Sequence, residues 1–100
     1  MLFAFSVAPT VADTPDGSVS AAVAEAVRIV RASGLPHETT SMFTTVEGEW
    51  DECMDVIKRA TQAVAATSPR VSLVVKADIR PGLTGQLTEK VRRVEEHLGG

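Results

Sequence analysis

Cysteine occurs once in this chain of 100 residues, at Cys53, tyrosine is absent, and the aromatic side chains number four. A lone thiol forms neither an intramolecular disulfide nor, by itself, a thiolate zinc centre, which fits a reducing cytoplasmic setting better than secretion. The two histidines, His37 and His97, stand sixty residues apart with no Cys, Asp or Glu at ligand spacing, so no metal site is expected. No run approaches the roughly eighteen consecutive apolar residues that cross a bilayer. No phosphate-binding glycine loop follows a strand either: Gly82 and Gly85 lack both a second glycine pair and the Lys-Ser/Thr ending. Charge has no dominant sign. Ten basic against thirteen acidic residues give a net charge of -3, which supplies no electrostatic reason to bind nucleic acid.

What is present suits one compact core. Apolar residues make up 44% of the chain, and a chain of this mass buries about 64% of its unfolded surface on folding. Residues 1–100 are therefore expected to form a single domain. The start, Met1 to Pro9, is apolar but has no positively charged leader region, and it reads as a first strand with Phe3, Phe5 and Val7 on one side and Leu2, Ala4, Ser6 and Ala8 on the other. Ser18 is placed to cap a helix whose apolar positions Val19, Ala22, Val23, Ala26, Val27 and Val30 share one face, and Gly34-Leu35-Pro36 ends it. His37 to Gly48, rich in Thr and β-branched or aromatic residues, suits a hairpin or two consecutive strands, with a weakly marked turn around Ser41 to Phe43. A second helix follows, with Trp50, Cys53, Met54, Ile57, Thr61 and Val64 on its apolar stripe and acids in its first turn. Val71 to Arg80 alternates as a half-buried strand, and Leu87, Val91, Val94 and Leu98 mark a third amphipathic helix.

The order β-α-β-β-α-β-α predicts an α+β fold: a ferredoxin-like β-α-β-β-α-β sandwich with an extra C-terminal helix, its antiparallel sheet covered on one face by the first two helices. The other face, carrying Ser6 and Ala8, has only the third helix to cover it. A homodimer, or a homotetramer built as a dimer of dimers, is the expected remedy.

Among the chemistry-bearing side chains, Cys53 falls on an apolar stripe and is expected to be buried and inert. Most carboxylates sit at exposed helix positions. Glu47 and Asp78 differ in lying on or beside strands, where each can accept hydrogen bonds from an amine or pair with a cation such as Lys76 or Arg80. Phe43 and Trp50 are expected to pack in the core, with Met42 available as a flexible wall for a flat ligand.

The string Thr40-Ser41-Met42-Phe43-Thr44-Thr45-Val46-Glu47-Gly48-Glu49-Trp50-Asp51-Glu52 resembles the small thiamine-binding protein family, long catalogued as a domain of unknown function. Phe5 to Pro9, Ser18, Ser33-Gly34-Leu35 and Lys90 to Glu95 extend the resemblance, in order, over almost the whole chain. The resemblance implies a ferredoxin-like subunit in dimers and tetramers that binds thiamine or a related aminopyrimidine at a subunit interface as carrier, buffer or sensor, without catalysis and with no cofactor. One departure stands at the hairpin turn, where the family's common Pro-Met-Gly is replaced by Ser41-Met42-Phe43, which restricts the backbone. A flat aminopyrimidine joined to a cationic ring needs hydroxyls for its edge, soft walls and a carboxylate for its charge. Thus Ser6 and Thr44 are expected to hydrogen-bond the ligand, with Thr40 beside them, Met42 to form a wall, and Glu47 to carry the counter-charge. Two other classes compete: an oligomeric structural or regulatory module with a dry interface, and a small cofactor-independent enzyme of this fold, disfavoured because no nucleophile, base and orienting partner come together.

Overall fold

The computed structural model describes residues 1–10 and 19–99. Seven elements follow one another: β1 (Leu2–Pro9), α1 (Ser20–Ala32), β2 (His37–Thr39), β3 (Thr44–Glu47), α2 (Trp50–Ala65), β4 (Val71–Asp78) and α3 (Gln86–His97). The sheet order is β2-β3-β1-β4 with every neighbouring pair antiparallel, the ferredoxin-like arrangement with α3 added. Among the described residues no helix is long and apolar enough to cross a membrane.

The period of two sets the faces. Phe3, Phe5 and Val7 point to the helix side, where they meet Val46 of β3, Ala22, Ala26 and Val30 of α1, and Cys53, Val56, Ile57, Ala60 and Val64 of α2, all buried. Gly34, at a φ of 77°, takes the left-handed conformation that stops α1. Ser18, the expected cap, lies outside the described residues; Val19 holds the N-cap position of α1 without a side-chain bond. Glu52 Oε1 accepts the Glu49 N–H at 3.2 Å and closes the first turn of α2. Gly48 lets β3 turn into α2 at close range, since a Cβ there would stand 3.2 Å from Cys53 Sγ.

Two expectations about packing change. Trp50 is 50% exposed and not part of the core; as the first residue of α2 it lies across the rim with its ring edge on Phe3, centroids 5.5 Å apart at 74°. Strand β4 is not half-buried. As an edge strand it meets the helix layer only at its start, where Val71 packs against the core, so beyond it residues of both parities stay open: Leu73 is 42%, Val74 53% and Val75 38% exposed.

Candidate functional site

The hairpin between β2 and β3 is closed by one hydroxyl. Thr40 N–H donates to the Phe43 carbonyl at 2.8 Å. Thr40 Oγ1 donates to the same carbonyl and accepts the Met42 and Phe43 N–H groups at 3.4 and 3.3 Å. The Thr side chain thereby substitutes for a glycine turn, and among the described residues no residue other than glycine has a positive φ. Phe43 is therefore compatible with a tight turn after all.

That turn forms one wall of a groove of about 250 Å³. Strand β3 pairs with β1 only through Phe5, whereas β1 runs on to Pro9, leaving a notch beside Ser6, Val7 and Ala8. Hydrogen-bonding direction alternates along an antiparallel strand. Gly48 N–H donates to the Met1 carbonyl on the β3 side, and Thr10 N–H to the Arg70 carbonyl on the β4 side, so odd-numbered residues of β1 face β3. Val7 accordingly turns its N–H and carbonyl into the notch, where β3 has ended. Val23 and Val27 of α1 and Phe43 supply the apolar sides.

Four of the five residues expected at a binding site line this groove: Ser6, Thr40, Met42 and Thr44. Their chemistry differs. Thr40 spends its hydroxyl on the turn, whereas Thr44 Oγ1 makes no hydrogen bond among the described residues and is not a sealed, unsatisfied atom; Ser6, of the other parity on β1, directs its side chain to the opposite face. Met42 is 73% exposed at the hairpin tip. Among the described residues no ionisable side chain lines the groove.

Glu47, the fifth, is elsewhere. It is on the opposite face of the sheet, 5% exposed, and its carboxylate accepts the Gln86 N–H at 2.8 Å and the Leu87 N–H at 3.4 Å. It therefore caps α3 from a strand thirty-nine residues away in sequence, compensating N–H groups that no helical carbonyl can reach. Asp78 likewise reaches α3: it pairs with Lys90, not with the neighbouring Lys76 or Arg80, and the Lys90 ammonium holds its carboxyl below the usual range. Cys53 is buried, and desolvation pushes its thiol up to about 11. No group of three His, Cys, Asp or Glu side chains that could hold a metal gathers among the described residues.

Sequence reasoning missed the main-chain groups of Val7 and the α1 wall. The first had no side-chain signal; the second was legible in the placement of Val23 and Val27 on one stripe, taken there as core. Comparison with known proteins gives a coherent picture. A family model described as thiamine-binding protein matches residues 3–95. A UPF0045 protein of Mycobacterium bovis is 50% identical over 99 residues, covering 98% of this chain and 94% of its own. Among solved structures, a hypothetical protein of Methanocaldococcus jannaschii superposes with a TM-score of 0.82 at 27% identity, over 95% of both chains. A Thermotoga maritima protein, named for a proposed part in thiamine biosynthesis or salvage, gives 0.76 at 28% identity, over 93% of this chain and 96% of its own.

Proposed function

Because the chain belongs to the thiamine-binding protein family, we propose that the groove beside β1 binds thiamine or a related aminopyrimidine without catalysing a reaction. The observation that carries this is the pair of uncommitted polar groups in an apolar notch, Thr44 Oγ1 and the Val7 main chain. Donors and acceptors held at one edge between apolar walls suit a flat ring with alternating amine and ring nitrogens. Among the described residues no ionisable side chain lines the groove, which supports binding over acid-base chemistry. A groove of about 250 Å³ is smaller than the roughly 300–1,000 Å³ of sites that enclose a whole ligand. That supports a site completed by a second subunit.

Titration calorimetry with thiamine and with its pyrimidine moiety tests this. Wild type is expected to bind both, and Thr44→Val is expected to weaken binding by roughly three- to tenfold, the value of one neutral hydrogen bond. Glu47→Ala is expected to keep near-normal affinity in protein that remains folded; a complete loss would return the charge-bearing role to Glu47. Full affinity in Thr44→Val would remove the groove from consideration.

A further inference from the structure

A second groove, of about 350 Å³, opens on the face of the sheet turned away from α1 and α2, and it shares no lining residue with the first. Its floor follows from the strand register. Glu38 of β2 stands opposite Thr45 of β3, and Leu2 of β1 opposite Glu47 of β3, so these four side chains share that face. Its roof is α3. That helix buries only Gln86 of its twelve residues, so Leu87, Val91 and Val94 overhang the floor without being filled from below.

Charge decides what such a space can hold. Among the described residues, Glu38 and Lys90 are the ionisable side chains that line it. The Lys90 ammonium is taken by Asp78, and the neighbouring buried carboxylate of Glu47 is taken by the Gln86 and Leu87 N–H groups. Glu38 is exposed and makes no ion pair among the described residues, and half-buried Thr45 adds a hydroxyl beside it. An uncompensated carboxylate and a hydroxyl at the end of an apolar groove match a protonated amine on an apolar body and disfavour an organic anion. We propose that the groove under α3 binds a small primary ammonium ion, its charged head on Glu38 and Thr45 and its apolar body against Leu87, Val91 and Val94. A primary ammonium brings three N–H donors to those acceptors, which a quaternary ring cation lacks. The volume of about 350 Å³ falls within the roughly 300–1,000 Å³ of small-molecule sites. This site stands apart from the aminopyrimidine groove: the alternation that turns Glu38 and Thr45 to this face turns Thr39 and Thr44 to the other, where they line the first groove.

Phenethylamine and its uncharged counterpart phenethyl alcohol test this on the protein as it assembles in solution. In NMR titrations the amine is expected to shift the amide signals of Glu38, Thr45, Leu87 and Val91, and to bind more tightly than the alcohol by roughly three- to tenfold, the value of a charged hydrogen bond at an open site. Glu38→Gln is expected to erase that preference while leaving binding of the alcohol in place, and added salt to narrow it in wild type. Glu38 is exposed, so the variant is expected to fold, which circular dichroism checks. No shift with millimolar amine, shifts confined to Val7, Thr40 and Thr44, equal binding of amine and alcohol, a preference that survives Glu38→Gln, or displacement of the amine by thiamine would each overturn the proposal. Glu38→Gln is expected to leave thiamine affinity unchanged, and Thr44→Val to leave amine affinity unchanged, so this site and the aminopyrimidine groove fail or stand separately.

Discussion

On the helix side of the sheet, Phe3, Val30, Val46, Ile57 and Val64 are sealed from solvent and packed against one another. On the other side Val74, Val91, Val94 and Leu98 remain exposed, and α3 is tied to the sheet by polar contacts, the Glu47 cap and the Asp78–Lys90 pair. A groove of about 350 Å³ between Leu2, Thr45, Leu87 and Val91 stays unfilled under that helix. Both sides are made from apolar residues at regular spacing, yet only one is closed within the chain. The difference separates two uses of the same pattern: the helix side supplies the free energy of folding, and the open side presents surface for association.

If that division holds, equivalent truncations on the two sides should differ widely. Phe3→Ala removes a fully buried ring from beneath Trp50 and is expected to cost about 3–5 kcal/mol in denaturant unfolding. Val74→Ala, at low protein concentration, is expected to change stability by about 0.5 kcal/mol or less. Comparable losses would break the comparison. Glu47→Ala should fall between the two, at about 1–3 kcal/mol, because it strips a charged acceptor from two helix N–H groups. Its signature is local: hydrogen exchange of α3 amides accelerates while amides of β1 and α2 keep their protection.

The helix side was legible in the sequence because periodicity encodes burial directly. Phe3, Phe5 and Val7 at a spacing of two, and Ala22, Ala26 and Val30 at four, read out as the core they form. Periodicity does not say which strand lies at an edge, so the alternation of β4 suggested a buried face that the helices do not reach. Trp50 obeyed its stripe in sequence but sits on the first turn of α2, where the core has already ended. Four of the five candidate site residues line one groove because the hairpin places hydroxyls and Met42 near β1 by local sequence alone. Glu47 lies apart from them for the opposite reason. Its partners, Gln86 and Leu87, are long-range main-chain groups that carry no residue-type signal.

The smallest expected effect sharpens the comparison most finely, since it loosens one side without touching the other. Asp78 has its carboxyl lowered from about 3.8 chiefly by the hydrogen bond from Lys90, with the Lys90 charge adding to it. A depressed folded-state value means that the contact contributes fully above the unfolded value and is lost as pH falls through the folded one. Both groups are exposed, so the contribution is slight and weakens with salt. Amide signals of α3 near Lys90 are expected to shift as pH is taken below that of the free carboxyl, and Asp78→Asn is expected to abolish that transition. The fluorescence of Trp50, which rests on Phe3 across the sheet, is expected to stay constant over the same range. A simultaneous change in Trp50 would mean that the two sides unfold together, and that α3 belongs to the folding core rather than to a surface the core merely holds in place.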